Sequence, residues 1–269
     1  MKSHLTLLSL LLAVNVAVAA PTLKPGGMSE FEVELPTDLR KIAGRGAISP
    51  VTRARVTIAV PADFDPGRDC PVMVVSATSD AGYHSSRRLL GDYAATAMAE
   101  GWILAAADPA EEVSAGQDDV PLRYALNAAA LAALRLQWPR ADKAPLAFGG
   151  FSGGSKYSGW LAAMFAKGGR RVVGIYLAGI NEDTVLQAAR ELDVLDEAYR
   201  NVPVFLQSGE TDPISTTADH QRIQEELRRA GFRHLRIEYF PGRHQTEPRL
   251  LAVALGWFRA LAEPSATRD

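Results

Sequence analysis

The chain is short of cysteine and of any excess of one charge, and each shortage removes a class of function. A single cysteine, Cys70, among 269 residues excludes an intramolecular disulfide. It sits just before an apolar run and far from the amino-terminal segment, so it reads as a packed or semi-exposed bystander, not a reactive or lipid-bearing thiol. Acids and bases nearly balance, 31 against 29, for a formal charge of −2, and they are interspersed. No basic patch of the kind that nucleic acid or an anionic membrane demands is present. Metal-binding spacings are missing as well, with no H-E-x-x-H and no Cys/His pattern. Neither G-x-G-x-x-G after a first strand nor G-x-x-x-x-G-K-[ST] occurs, so no dinucleotide or nucleotide phosphate is implied. No cofactor is expected.

What is there fits a folded domain with an export signal. Hydrophobic residues make up 47% and charged residues 22%, ordinary values for a globular protein, and the length is ample for a sizeable core. Lys2 precedes the run LTLLSLLLAVNVAVA, an apolar stretch of about fourteen residues. A bilayer span needs about twenty. Ala17-Val18-Ala19 offers an A-x-A cleavage site, so residues 1–19 read as a signal peptide and the protein as periplasmic or secreted, without stable membrane insertion.

From residue 20 onward one domain is expected, because no linker or repeat divides the chain. FEVEL (31–35) and RARVTIAV (53–60) alternate polar and apolar residues, as half-buried edge strands do. PVMVVS (71–76), WILAAA (102–107), VVGIYLA (172–178) and PVFLQ (203–207) are continuous apolar runs, as in a parallel sheet covered on both faces. LRIEYF (235–240) closes the series. Helical patterns fall near 85–100, 119–137, 155–167, 184–199, 217–230 and 246–261. The alternation predicts an α/β fold: a mostly parallel sheet of about eight strands with helices on both faces. The segment 180–201 has room for a loop and one helix, so no large lid is expected.

Chemistry concentrates in the segment APLAFGGFSGGSKYSGW. A short apolar run from Pro145 to Phe148 leads through Gly149 and Gly150 to Ser152, and a helical pattern follows. Gly150-x-Ser152-x-Gly154 is the pattern of a sharp strand-to-helix turn. Small residues on either side let strand and helix pass closely, while strain lifts the serine hydroxyl above the sheet. A serine hydroxyl needs a base, usually histidine, and that base an orienting carboxylate. PVFLQ runs into a tight turn carrying Asp212 between Gly209 and Pro213, and LRIEYF runs into the loop carrying His244. All three residues fall at carboxyl ends of strands, where open α/β sheets bind ligands. Asp183 is the rival acid, set aside because the Asp212 turn is better defined. His84, His220 and His234 are the rival bases; His220 on a polar helix and His234 before a strand are expected at the surface.

The order Ser…Asp…His, with the G-x-S-x-G turn, resembles that of the α/β-hydrolases. The resemblance spans nearly all of the chain after the signal segment. It implies Ser152 as nucleophile, His244 as general base and Asp212 as the residue holding the imidazole. It also implies the Gly153 N–H as one oxyanion donor. Many members carry His-Gly after the third strand, where this chain has Ala77-Thr78-Ser79. Thr78 or Ser79 is therefore expected to give the second backbone donor. An open cleft bordered by Tyr83, His84 and Asn181 would admit a small-molecule or polymer-linked ester. The implied activity is carboxylic-ester hydrolysis through an acyl-enzyme. A peptidase or acyltransferase with the same triad, or a non-catalytic binder on a hydrolase scaffold, is the alternative.

Overall fold

The computed structural model describes residues 22–80, 82–114 and 116–263. The expected signal peptide lies outside them. Among the described residues no helix is long and apolar enough to cross a membrane.

Eight strands form one sheet: β1 (Met28–Glu34), β2 (Arg53–Ala59), β3 (Val72–Ser76), β4 (Ile103–Pro109), β5 (Leu146–Phe151), β6 (Val172–Ala178), β7 (Val204–Gly209) and β8 (Leu235–Phe240). Their order in space is β1-β2-β4-β3-β5-β6-β7-β8. β1 to β2 and β2 to β4 are antiparallel, and every later pair is parallel. The expected α/β architecture is thus the observed one.

The helices are α1 (Thr37–Ala43), α2 (Ser86–Ala99), α3 (Val120–Gln137), α4 (Gly153–Lys167), α5 (Thr184–Glu191), α6 (Glu197–Arg200), α7 (Thr217–Arg229) and α8 (Pro248–Ala262). They cover both faces because the strands are apolar on both. Along β3, Val72 and Val74 enter the core layer under α3 and α4, while Met73 and Val75 enter the layer under α2 and α8. Helix ends are closed by side chains: Ser85, Asp119 and Asp196 each accept from a first-turn N–H, and Thr216 with Asp219 forms a capping box.

Three local expectations are corrected. β2 is an interior strand, not an edge; Thr57, which gave its alternating pattern, is buried instead of solvated. The helix expected over 184–199 is two helices, broken where Asp193 adopts a left-handed φ of 54°. His220 is wholly buried, because it shares one face of α7 with Ile223 and Leu227. Its Nδ1 lies 2.9 Å from the Thr216 carbonyl and 3.2 Å from Ser208 Oγ. Burial holds its pKa below the ordinary value.

Candidate active site

Ser152 occupies the turn between β5 and α4 with φ 56° and ψ −122°, a left-handed backbone that a non-glycine residue adopts only at a cost of about 1–3 kcal/mol. Its surroundings hold it there. The Ser152 N–H donates to the Ala178 carbonyl at 2.8 Å, and the Ser155 hydroxyl shares its one proton between Gly150 O (2.9 Å) and Ala178 O (2.8 Å). The two glycines flanking the turn are required by close approach. A Cβ on Gly154 would collide with the Ser76 carbonyl oxygen and lie 2.9 Å from its carbon. A Cβ on Gly150 would lie 2.6 Å from that same oxygen.

Asp212 and His244 arrive from the ends of β7 and β8. Asp212 follows β7 and is 5% exposed. Its Oδ1 accepts from Ile214 N–H (2.8 Å) and Ser215 N–H (3.0 Å), and its Oδ2 meets His244 Nδ1 at 2.7 Å. Burial opposes its charge, but the hydrogen bonds from Ser215, His244 and Ile214 outweigh burial and hold its carboxyl below the ordinary value. Asp212 is therefore a carboxylate at neutral pH, and the short bond fixes the proton of a neutral His244 on Nδ1. Nε2 is left as the acceptor.

His244 is seated beside the serine turn. Its ring packs on Phe151, the residue before Ser152, with centroids 4.6 Å apart. Gly179 (φ 61°) passes close by; a Cβ there would lie 3.0 Å from His244 Cε1. The loop carrying His244 is clamped. Thr211 donates to Gly242 O through both N–H (3.0 Å) and Oγ1 (2.9 Å). Gln207, 1% exposed, donates to Gln245 O (3.0 Å) and accepts from Glu247 N–H (3.1 Å) and the Tyr176 hydroxyl. Nothing in the apolar run containing Gln207 marked it as a support for the histidine loop.

The other sequence candidates are placed as follows. Asp183 caps α5 through Leu186 N–H at 2.9 Å, and burial pushes its pKa to about 6. It does not pair with His244. Thr78 packs against Gly153, where an added Cβ would collide with Thr78 Oγ1 and lie 2.9 Å from its Cβ. Gly153 N–H is a first-turn donor of α4 with no helical acceptor to bond. The N–H groups of Thr78 and Ser79 have no acceptor among the described residues, whereas Ala77 N–H is taken by Ser86 Oγ at 3.2 Å. Tyr83 is 72% exposed, and His84 is exposed beside it. Asn181 donates to Ile214 O at 3.3 Å. His234 is half-buried, with its carbonyl accepting from Val204 N–H.

A cavity of about 330 Å³ opens beside Gly153, lined by Thr78, Ser79, Lys156, Tyr157 and Trp160 among others. Tyr83, His84 and Asn181 are not in its wall. Lys156, Tyr157 and Trp160 were not singled out in the sequence. Their signal was the 153–156/157–160 spacing, which puts them on one face of α4. A larger hollow of about 460 Å³ between α5 and α7 contains Asp183 and Arg190 but none of Ser152, Asp212 or His244. The smaller cavity is lined by none of these three either, but its wall includes Gly153, which follows Ser152 directly. Among the described residues, no group of three His, Cys, Asp or Glu is arranged to hold a metal ion.

No protein-family model matches the chain, and no curated protein matches it in sequence. Solved structures do. A lidless α/β serine hydrolase from Xanthomonas campestris superposes with a TM-score of 0.58 at 17% identity, over 91% of this chain and 100% of that one. A dienelactone hydrolase from Anabaena variabilis gives 0.54 at 15% identity, over 87% and 98%. An acylaminoacyl peptidase from Pyrococcus horikoshii gives 0.56 at 13% identity, over 90% of this chain but 43% of that one. The chain has the α/β-hydrolase fold, and among the described residues only α5 and α6 lie between β6 and β7, with no large lid.

Proposed function

We propose that this protein is a serine hydrolase that cleaves a carboxylic ester through an acyl-enzyme on Ser152. The observation that carries the reading is the 2.7 Å pair between His244 Nδ1 and Asp212 Oδ2 beside a serine in strained backbone. His244 Nε2 takes the hydroxyl proton as Ser152 Oγ attacks the ester carbonyl. The carbonyl oxygen becomes an oxyanion held by the N–H groups of Gly153 and Thr78. Collapse of this intermediate breaks the ester bond, and the alcohol leaves with the proton from His244. Water, deprotonated by the same nitrogen, then releases the acid and restores Ser152.

The cavity beside Gly153 receives one side of the ester. Its cation, Lys156, is paired with Glu182 at 2.7 Å, and its apolar lining comes from Val120, Tyr157 and Trp160. An uncharged group with some apolar surface suits it better than a free anion. Open access from solvent is compatible with small or polymer-linked esters. The amino-terminal run ending at Ala19 supports export. A second reading, peptide hydrolysis by the same residues, is favoured by the likeness to an acylaminoacyl peptidase. Turnover of a panel of p-nitrophenyl esters and peptide anilides, with Ser152→Ala and His244→Ala as folded controls, separates the two. Ester turnover lost in both variants is expected; turnover retained in both overturns the assignment.

A further inference from the structure

The charged side chains fully buried among the described residues are Arg123, Asp118 and Asp212. Asp212 belongs to the site already described. Arg123, on α3 and 1% exposed, does not touch Ser152 or His244, yet its charge is out of water, which costs several kcal/mol unless every donor is met. Every donor is met. Nε and Nη2 form a bidentate pair with Asp118, both at 2.5 Å. Nη2 also donates to the His84 carbonyl (3.3 Å), and Nη1 donates to Ser86 Oγ (2.7 Å) and Asp108 Oδ1 (3.1 Å).

These acceptors come from separate segments that converge on Arg123. Asp108 ends β4, Asp118 precedes α3, and His84 and Ser86 open α2. Two of the connections lead on to the site. Ser86 Oγ accepts from Arg123 on one side and from Ala77 N–H, at 3.2 Å, on the other. Ala77 is joined directly to Thr78, the residue packed on Gly153. The Asp118 carbonyl accepts from Tyr157 OH at 2.5 Å, and the Arg123 guanidinium lies 5.5 Å from the Tyr157 ring centroid. Tyr157 is in the cavity wall.

Resting on the hydrolase reading above, we propose that Arg123 is a positioning residue: through Ser86 it sets the Ala77–Thr78 backbone that supplies the second oxyanion donor. Through Asp118 it sets the Tyr157 wall. Lysine cannot replace it, because a single ammonium lacks the planar fork that reaches Asp118, Ser86, Asp108 and the His84 carbonyl together. A bidentate guanidinium tolerates little displacement of its acceptors, so His84 and Ser86 at the start of α2 are held in place.

The test compares Arg123→Lys and Ser86→Ala with wild type, counting active sites by titration with a fluorophosphonate. Ser86→Ala removes one hydroxyl from a folded helix start and remains informative if Arg123→Lys does not fold. Displacing a donor without deleting it costs up to about 100-fold, so kcat per labelled site should fall by about 10- to 100-fold. KM should change by less than about 3-fold, as expected when transition-state contacts alone are lost. The rate of phosphonylation should fall in parallel, while the pH profile keeps its shape. Unchanged kcat per labelled site in Ser86→Ala, with only a lower melting temperature in Arg123→Lys, would overturn the proposal. A wild type that neither labels nor turns over esters would overturn the hydrolase reading together with it.

Discussion

Replacing Gly150 by alanine adds one methyl group where the serine turn leaves no room. Its carbon would sit 2.6 Å from the Ser76 carbonyl oxygen and nearer still to the carbonyl carbon and oxygen of Gly154. All of these are backbone atoms, so no rotamer change relieves the clash. Ordinary carbon–oxygen contact begins near about 3.3 Å, so β3 and the first turn of α4 must each move away from β5 by at least about 0.7 Å. Overpacking of this kind costs about 3 kcal/mol, the upper end of its usual range. In a domain of this size that lowers Tm by about 6–12 °C. The same displacement moves Ser152 relative to His244, and a misplacement of about 1 Å costs about 100-fold in turnover. Gly91 provides the control. It is exposed within α2, and an added Cβ would meet nothing within 4 Å. The same glycine-to-alanine change there should stabilise by about 0.5–1 kcal/mol. Thermal unfolding and ester turnover of both variants make the comparison. A Gly150→Ala protein that melts within about 2 °C of wild type and turns over normally would refute the close-approach argument.

Three further outcomes follow from other parts of the molecule. Asp212→Asn keeps an acceptor for Ile214 and Ser215 but no longer fixes the His244 proton, so kcat should fall by about 10³- to 10⁴-fold with little loss of fold; steady-state kinetics beside circular dichroism check it. Asp183, raised from 3.8 to about 6, contributes stability in its protonated form that is lost as pH rises through that range. Asp183→Asn keeps the cap on α5 and should be more stable than wild type by up to about 3 kcal/mol above pH 7, with almost no gain near pH 4, as thermal unfolding across pH would show. Cys70, half-buried with its thiol pushed up to about 11, should react with a thiol reagent near pH 8 at well under a tenth of the rate of free cysteine. Labelling at the free-cysteine rate would contradict its packing against Pro71 and Gly101.

The parts legible in the sequence were those set by short-range geometry. The apolar runs at 71–76 and 172–178 became fully covered parallel strands because nothing else buries continuous Val, Ile and Leu at that length. The Gly150-x-Ser152-x-Gly154 spacing encodes a clash between neighbouring atoms, and the turn forms as that clash requires. Asp212 and His244 were visible as residues that the strand ends bring to one rim. The rest depends on contacts between distant segments. Thr57 looks solvent-facing in a strand pattern and is buried because helices pack on both faces of β2, α2 on one and α3 on the other. His220 looks polar on a helix and is covered because Ile223 and Leu227 turn that face inward. Gln207, Arg123 and Tyr157 each take their place through a partner 37 to 39 positions away, Gln245, Ser86 and Asp118 respectively, which no local pattern reveals.

The most direct test of the account is labelling of the wild-type protein with a fluorophosphonate, followed by mass spectrometry of the modified peptide. An activated serine predicts one adduct, on Ser152, absent in Ser152→Ala and strongly slowed in His244→Ala. A folded wild type that takes up no label, or takes it elsewhere, would contradict the claim that Asp212, His244 and the strained turn make Ser152 a nucleophile.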